Sequence, residues 1–481
     1  MAQELFRRRL EPRSNGPRIP EIGARYAVPA YVAMLVPILA SPFGTVLSLS
    51  FVTFGALFGL WKRGELYSEL GRWDQVSVSI LAFAAAASVS ALWSPAEIET
   101  LGKAAVFATI AISTIVGVNS GTRSTLEVSA AATRAFVLVF AILGGRAVIE
   151  ILTDQAMLKT YYDVFGSARD ADLKHLRIEA GQVTVVNEIF LNRHVYVVTL
   201  FALPAWIGAG VFASPNLRML ARAAIAMVLM VVLFGSQHES SKLAIVCSIV
   251  VLVACWASYR GAVAMVGASW LAAVLLVVPV ALALGSMKLD EASWLPTSAR
   301  DRVKIWRQTA QRTLQLPILG HGAGTTHVHY ERELAASLEK LDLAPAERDL
   351  RLRQFRRERL LSDRLGPHAH NVYLQVWFEL GLAGALLLTA AGAIILRQIT
   401  RLQTPGLRNI GLVQFTAVAA SAATSYSLWQ PWFMSVIGLS LIFMAIAARA
   451  VMHEPAAYDL DRLSASKTIR SEPRGEGPSK E

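Results

Sequence analysis

Long apolar stretches, separated by short basic loops, make up most of this 481-residue chain. About twelve of them approach the roughly 20 residues that an α-helix needs to cross a bilayer. The first, fourth and seventh are shorter, so roughly ten to thirteen crossings fit the pattern. The pattern predicts an all-α polytopic membrane protein with spans at Ala27–Pro42, Gly44–Trp61, Gln75–Trp93, Ala104–Val118, Ala135–Leu152, Val195–Ala213, Ala223–Phe234, Leu243–Ser258, Val263–Leu284, Asn371–Leu396, Ile410–Leu428 and Trp432–Val451.

The charges of the short loops predict which side of the membrane each loop faces. Lys and Arg concentrate in every second loop, which the positive-inside rule places in the cytoplasm together with both termini. These residues are Lys62, Arg63, Arg72, Arg123, Arg134, Arg218, Arg222, Arg260, Arg397, Arg401 and Arg408. Two long polar segments then fall on the outer face. The second lies between the ninth and tenth helices and has helical spacing around Leu334–Leu361.

Composition supports a membrane protein and argues against nucleic-acid binding. Hydrophobic residues make up 54% of the chain, charged residues only 17%, and the mean hydropathy is +0.45. Such a chain is too apolar for an ordinary soluble protein. The net charge of +11 lies mostly in the tails and short loops, where topology explains it. The two cysteines, Cys247 and Cys255, share one apolar run and are expected to be small core residues rather than a disulfide.

A histidine stands at the start of the tenth predicted helix, inside the stretch Gly366–Gly384. After His370, the residues Asn371, Gln375 and Glu379 recur every fourth position and form a polar stripe along an otherwise apolar helix. Polar groups at that depth are costly and are usually functional or paired. His370 is therefore the catalytic candidate. Glu379 lies about 14 Å further along the helix, so we expect it to pair within the bundle.

The large outer loop opens with a basic cluster in which Arg300, Arg302, Lys304 and Arg307 lie within two helical turns. Arginine forks bind phosphate bidentately, so the cluster suits a diphosphate or an acidic glycan. A solvated amphipathic helix with surface ion pairs is the alternative. The Gly-rich turn 317–325 that follows permits close backbone approach, but it lacks the GKS/T end of a Walker loop.

Five histidines lie in the same loop: His321, His327, His329, His368 and His370. Two of the pairs have the spacing His-x-His, which on an extended chain directs both imidazoles to one side and allows a metal site. No cysteine or closely spaced carboxylate completes a ligand set. A single imidazole that acts as a general base or electrostatic partner is the other interpretation, and we favour it.

Four further residues complete the candidates. Lys242 follows a polar turn on the outer side, and Arg193 ends the first outer loop at a helix start. For Arg193, snorkelling to the interface is the simpler explanation. Gly381 and Gly384 are expected to allow close helix packing rather than to touch a ligand.

Three motifs resemble the bacterial O-antigen ligase family, which shares a membrane domain with polysaccharide polymerases. The resemblance covers residues 193 to about 397, and the motifs occur in the family's order on the same predicted face. They are Ser241-Lys242-Leu243-Ala244; Arg302-x-x-x-Trp306 followed by Pro317-Ile-Leu-Gly320; and His370-Asn371, nine residues, Gly381, two residues, Gly384.

The resemblance implies a metal-independent glycosyltransferase in the bacterial inner membrane, without a cofactor and with its active site facing the periplasm. The implied donor is a glycan on undecaprenyl diphosphate, and the acceptor is lipid A–core or another glycan. Membrane lipid and a polysaccharide assembly complex are the other implied partners. By position, His370 would activate the acceptor hydroxyl and Arg302 would bind the donor diphosphate. The further substrate-binding candidates are Arg300, Arg193, Lys242 and Asn371.

With this orientation the chain divides into seven segments. They are a cytoplasmic tail (1–26), N-terminal transmembrane helices (27–152), a first periplasmic loop (153–193), central transmembrane helices (194–284), a large periplasmic loop (285–370), C-terminal transmembrane helices (371–452) and a disordered cytoplasmic tail (453–481).

Three other functions stay open. A polymerase of O-antigen or exopolysaccharide repeat units differs from a ligase only in its acceptor; we favour the ligase because the histidine motif is complete and directly follows the large loop. A secondary transporter or lipid flippase would have a similar helix count, but the sequence shows few ionisable groups at mid-membrane and no paired broken helices. A structural partner of an export complex would use the charged loop for docking.

Overall fold

The structure, a computed structural model, describes residues 22–62, 64–66, 74–165, 176–179, 182–339, 347 and 365–452. Sixteen α-helices form this part of the chain, with one two-stranded sheet. The helices are α1 (Ile22–Ala40), α2 (Thr45–Lys62), α3 (Gln75–Val89), α4 (Glu97–Arg123), α5 (Leu126–Leu152), α6 (Ala156–Phe165), α7 (Ile189–Gly208), α8 (Pro215–Gly235), α9 (Glu239–Ala257), α10 (Tyr259–Leu275), α11 (Val277–Ser286), α12 (Thr297–Thr313), α13 (Thr326–Glu339), α14 (Val372–Thr400), α15 (Pro405–Ala422) and α16 (Pro431–Met452).

The prediction of an all-α polytopic membrane protein is confirmed. Among the described residues, nine helices are long and apolar enough to cross a membrane, and a bent pair makes up to ten. Each of the twelve predicted spans contains a helix. Two of these helices are not both long and apolar enough to cross a membrane. The apolar part of α1 covers only Val28–Ala40, and α15 includes the polar residues Arg408, Asn409 and Gln414.

The ninth predicted span is not one straight helix. It consists of α10 and α11, which meet at an angle of 68°. Pro279 lies in the first turn of α11 and has no N–H to donate, and its ring clashes with the carbonyl of the residue four positions earlier. That residue is Leu275, where α10 ends. The proline therefore explains where the span bends.

The tenth predicted span is also broken, at Gly381. Gly381 has φ +60° and ψ −156° within α14, and the turn that begins at Pro317 fills the gap. Leu382 N donates to Pro317 O (2.8 Å), Ala383 N to Ile318 O (3.2 Å), and on the other side of the break Gly322 N donates to Glu379 O (2.8 Å).

Gly381 therefore allows close packing, as expected, but its partner is the backbone of the Pro317 turn rather than another helix. A Cβ at Gly381 would lie 2.4 Å from the Ile318 carbonyl, and a Cβ at Gly320 would lie equally close to the backbone of Glu379. Both glycines have positive φ, a conformation that other residues adopt only with strain. The break exists because a turn sixty residues upstream in the sequence replaces the missing helical hydrogen bonds.

Helix α7 is the most deeply buried span and positions one end of the site. It packs against α5 and α16, and Phe136 of α5 stacks on Phe443 of α16 at 4.4 Å beside it. The helix begins at Ile189, so Arg193 lies within its first turns rather than at the end of a loop.

The two long segments between spans contain short elements. The first holds α6 and an antiparallel hairpin, β1 (Leu176–Glu179) and β2 (Gln182–Val186), whose register shifts between Arg177 and Ile178. The second holds α12 and α13. The helix predicted around Leu334–Leu361 matches the end of α13 as far as Glu339, and the rest of it lies outside the described residues, as do both predicted tails apart from residues 22–26.

Candidate active site

His370 lies two residues before α14, in a backbone conformation that is rare for a non-glycine residue. Its φ is +52°, and its half-buried ring packs 3.9 Å from the ring of His368. The Nδ1 atom is 3.0 Å from the carbonyl oxygen of Ser425. A carbonyl only accepts, so Nδ1 carries the hydrogen, and the neutral imidazole has its lone pair on Nε2.

The polar stripe of α14 forms hydrogen bonds with one loop, the 424–430 segment between α15 and α16. Gln375 Nε2 donates to Ser427 Oγ (2.9 Å), and the Leu428 N–H donates to Gln375 Oε1 (3.3 Å). One turn deeper, Trp429 Nε1 donates to Glu379 Oε2. His370, Gln375 and Glu379 therefore hold successive parts of the segment.

Glu379 is fully buried and accepts several hydrogen bonds from neutral groups. Besides Trp429, its donors are Gly324 N (2.9 Å), Thr326 Oγ1 (2.6 Å) and N (3.3 Å), and Gln375 Nε2 (3.0 Å). The expectation that Glu379 pairs within the bundle is confirmed. Its carboxylate joins the Gly-rich turn, α14 and the 424–430 segment, so it positions the loops around His370.

Tyr426 lies between Ser425 and Ser427, which hydrogen-bond to His370 and Gln375. Its side chain faces a cluster of cations and aromatic rings. Its hydroxyl is 3.4 Å from His238 Nε2, and the two rings stack at 5.9 Å. Burial raises the pKa of Tyr426, and the positive charges of Arg193 and Arg302 partly offset that increase. Tyr426 thus marks the point where α7, α12 and the turn before α9 meet.

Arg302 is the arginine of the basic cluster that faces this point. Burial lowers the pKa of Arg302, whereas the nearby Glu239 carboxylate and Tyr426 act in the opposite direction. Within the described residues, Arg302 forms no hydrogen bond or ion pair. It keeps its charge, so its guanidinium is a half-buried cation with donors to offer a ligand.

Arg300 points elsewhere, because residues two positions apart on a helix lie on different faces. Its Nη2 donates to Thr297 Oγ1 at 3.2 Å, and it lies near Asp301. The structure therefore brings Arg302, but not Arg300, to Tyr426.

Arg193 approaches Tyr426 from α7. Its guanidinium lies over the ring of Phe43 at 4.7 Å, and its Nε is buried without a hydrogen-bond partner among the described residues. Like Arg302, it has no carboxylate bonded to it within that part of the chain. Two cations from distant parts of the sequence therefore converge on one tyrosine.

Lys242 and Asn371 have partners of their own. Lys242 Nζ forms an ion pair with Glu239 Oε1 at 3.0 Å. The Asn371 side chain caps α14 by accepting from Leu374 N at 3.0 Å, and it is buried. These contacts are structural ones, and they leave less of either side chain for a substrate.

His238 is a buried histidine near Arg302. Its Nδ1 is 2.7 Å from Ser241 Oγ. Burial lowers the pKa of His238 to about 3, and the charge of Arg302 acts in the same direction. The imidazole is therefore neutral near pH 7 and can share a hydrogen with Tyr426 without adding charge.

Several polar atoms of α7, of the 424–430 segment and of the turn before α9 are buried without a hydrogen-bond partner in the described part of the chain. They are Ser236 Oγ, Thr424 Oγ1, Gln430 Oε1 and Arg193 Nε. Buried polar groups normally have partners, so a group of exceptions at one place calls for an explanation. A polar ligand or bound water would provide it.

The Gly-rich turn does not offer its amides to a ligand. The N–H groups of Gly322 and Gly324 bond to Glu379, and Ala323 N donates to Ser90 Oγ at 2.9 Å. The turn therefore has a structural role: its amides form hydrogen bonds at the break in α14 and to the neighbouring Ser90.

The metal interpretation of the histidine pairs assumed an extended chain. His327 and His329 instead lie on the helix α13, where they point apart. His327 pairs with Glu331, and His329 packs against His321 at 4.8 Å. Among the described residues, no group of three or more His, Cys, Asp or Glu side chains is arranged to hold a metal.

These features define a multi-pass membrane protein with a histidine and two half-buried arginines near one tyrosine, Tyr426. The family model described as O-antigen ligase matches residues 223–389, which run from within α8 to a point in α14 just beyond the break at Gly381. The O-antigen-ligase-like family that the motifs predicted is thereby confirmed for this segment.

A curated relative agrees with that family. A Rickettsia conorii protein named "Putative polysaccharide ligase" is 28% identical over 138 residues, which cover 29% of this chain. The match also covers only 29% of that protein's length. The chain thus spans less than a third of this relative.

Sequence reasoning missed Tyr426 and did not assign a role to His238. The sequence did contain a signal for the first, because Thr424, Ser425, Tyr426 and Ser427 form a polar turn between two apolar runs. Its position beside the arginines depends on contacts across the whole fold, which no local pattern shows.

Proposed function

We propose that this protein transfers a glycan from an undecaprenyl-diphosphate carrier to an acceptor at the periplasmic face of the bacterial inner membrane. The preferred acceptor is lipid A–core, as for an O-antigen ligase. His370 is the general base, and Arg302 with Arg193 binds the donor diphosphate. Both termini are cytoplasmic in this proposal.

One observation supports the proposal: two half-buried arginines, Arg193 and Arg302, have no bonded carboxylate among the described residues, and both lie near enough to lower the pKa of Tyr426, which follows the residue whose carbonyl orients His370. A diphosphate supplies the anionic oxygens that such arginines lack. The backbone strain at His370 supports a functional role, since strained residues often cluster at active sites.

The reaction follows from these positions. Nε2 of His370 takes the proton of the acceptor hydroxyl as its oxygen attacks the anomeric carbon of the donor sugar. The bond between that carbon and the diphosphate oxygen breaks, and undecaprenyl diphosphate leaves with the electron pair. Arg302 and Arg193 stabilise the charge that develops on the leaving oxygen. The proton on His370 then passes to water.

The residues of the site fit an enzyme better than a transporter. The sequence argument was that no paired broken helices occur, and the structure has two interruptions, a break in α14 at Gly381 and a bend between α10 and α11. However, the backbone groups at the Gly381 break bond to the Pro317 turn. They are therefore occupied, whereas a transporter would use such groups to coordinate its ion or substrate.

A transfer assay tests the proposal. Purified protein in proteoliposomes, given lipid-linked glycan and acceptor, should release undecaprenyl diphosphate. The variant His370→Ala should lose roughly 10²–10⁴-fold in rate, the typical contribution of general acid–base catalysis. His327→Ala, on an exposed helix face, is the matched histidine control and should keep full activity.

Two results would contradict the mechanism. Full activity of His370→Ala would exclude the general-base role, provided that the variant keeps its elution profile and thermal midpoint. Loss of activity with a chelator and recovery with zinc would favour metal-assisted chemistry.

Glycan analysis of a deletion strain separates the acceptors. Unmodified lipid A–core with accumulated lipid-linked polymer indicates a ligase, whereas single repeat units on the lipopolysaccharide indicate a polymerase. Loss of a secreted polysaccharide with intact lipopolysaccharide indicates exopolysaccharide synthesis.

A further inference from the structure

A groove of about 520 Å³ lies between the end of α7 and the first turns of α8. It is at the opposite end of α8 from His238: thirteen residues separate Arg222 from Gly235, about 20 Å of helix. The groove is thus separate from the candidate active site. The residues that matter in its lining are Trp206, Arg218, Met219, Arg222, Ala223 and Ala226.

The mouth of the groove is cationic. Arg218 and Arg222 are four residues apart, so both lie on the groove side of α8. Neither side chain forms a hydrogen bond or ion pair within the described residues, and no Asp or Glu lines the groove. The Arg222 guanidinium is 5.8 Å from the ring of Trp206, and its Nε is buried without a hydrogen-bond partner among the residues that the structure describes.

The rest of the groove is apolar and open to the membrane. Ala223 and Ala226 are small and exposed, and they form its floor. Around them, the exposed apolar side chains Met219 (70%) and Met227 (58%) continue along α8. Since α8 is a candidate membrane span, these residues face acyl chains. Trp206 lies where the polar and apolar parts meet, the position that tryptophan favours at a membrane interface.

We propose that this groove binds the phosphate group of an anionic phospholipid, with an acyl chain along Ala223 and Ala226. Two arginine forks suit a phosphate with several acceptor oxygens. The apolar floor favours a lipid headgroup over a free phosphate ion, although both offer the same phosphate chemistry to the arginines. The proposal does not depend on the transfer reaction.

A second groove provides a matched comparison. It is lined by Asp74 and Arg397, so its cation lies beside a carboxylate. Arg397 and Arg401 are also four residues apart, and their loop is predicted to be on the same membrane face as Arg218. The variant R397Q/R401Q therefore removes the same charge from that face without changing the α8 groove.

Native mass spectrometry of the full chain in mixed micelles tests the proposal, with phosphatidylglycerol and phosphatidylcholine as probes. The unmodified protein should prefer phosphatidylglycerol by roughly tenfold to thirtyfold, as expected for two arginines near a lipid surface. R218Q/R222Q should reduce the preference to about twofold, and R397Q/R401Q should keep it. Ala226→Leu, at an exposed position, should weaken phosphatidylglycerol binding with both arginines intact.

Three outcomes would overturn the proposal. One is an equal loss of preference in R397Q/R401Q, which would mean a diffuse charge effect. The second is displacement of phosphatidylglycerol by millimolar inorganic phosphate, which would mean a site for a soluble anion. The third is unchanged phosphatidylglycerol binding in Ala226→Leu. This variant tests the groove even if R218Q/R222Q does not fold.

Discussion

Two polar clusters lie side by side at the start of α14, and they differ in how their charges are satisfied. Around Glu379, a buried carboxylate accepts bonds from backbone, hydroxyl, amide and indole donors. Around Tyr426, the cations Arg193 and Arg302 have no bonded carboxylate within the described residues. A charge whose partners are all internal fixes structure, whereas a charge without them is available for a ligand.

The 424–430 segment belongs to both clusters. Ser425, Ser427 and Trp429 bond to the polar side of α14, and Tyr426 between them faces the arginines. A substitution in the cluster around Glu379 should therefore also displace Tyr426 and its surroundings. A substitution in the cluster around Tyr426 should leave the hydrogen bonds of Glu379 unchanged. The following variants test that asymmetry.

The largest effect is expected for Glu379→Ala. It would leave the N–H groups of Gly324 and Trp429 and the Thr326 hydroxyl without their acceptor, and each unsatisfied buried group costs about 1–3 kcal/mol. We expect the free energy of unfolding to fall by more than about 3 kcal/mol and transfer activity to be lost with it. Thermal unfolding in detergent, monitored by size-exclusion chromatography, measures the loss of stability.

Glu379→Gln is the matched control, because its amide keeps one acceptor oxygen at nearly the same shape. It should be destabilised less than the alanine variant. A Glu379→Ala protein that is fully stable but inactive would mean that Glu379 acts in the chemistry rather than in positioning.

The next effect separates two neighbouring arginines. Arg302→Gln should lower transfer with limiting lipid-linked donor by roughly 10- to 150-fold, the effect of losing a charge-assisted bond worth about 1.5–3 kcal/mol. Arg300→Gln should change it less than about threefold, since Arg300 bonds to Thr297 instead. Both thermal midpoints should stay close to that of the unmodified protein.

Equal losses in the two arginine variants would show that the cluster acts through its total charge. A loss of stability in Arg302→Gln that matches its loss of activity would identify a structural arginine.

The smallest effect is expected for Tyr426→Phe. It keeps the aromatic packing against Trp432 at 4.5 Å and removes only the hydroxyl, whose hydrogen bond is worth about 1 kcal/mol, or roughly fivefold in rate. Transfer assays at limiting donor should show this decrease without a change in thermal midpoint. A loss as large as that of His370→Ala would instead give the hydroxyl a direct part in the reaction.

Local patterns predicted much of this molecule. The class of protein and the place of the predicted spans follow from the length and apolarity of the runs, because a bilayer imposes both on every span. His370 at a helix start could be predicted for the same reason. Even the bend between α10 and α11 had its signal in Pro279, whose effect on the preceding turn is local.

Contacts between distant residues decided the rest. Whether Arg300 or Arg302 faces the site depends on how α12 is rotated against the turns before α9 and α16, and no spacing in the sequence specifies that rotation. The break at Gly381 exists because the Pro317 turn supplies hydrogen bonds across about sixty residues of sequence. The sequence by itself therefore determined the membrane-spanning helices and the position of the candidate histidine at a helix start, and only the tertiary structure decided which charges have partners among the described residues.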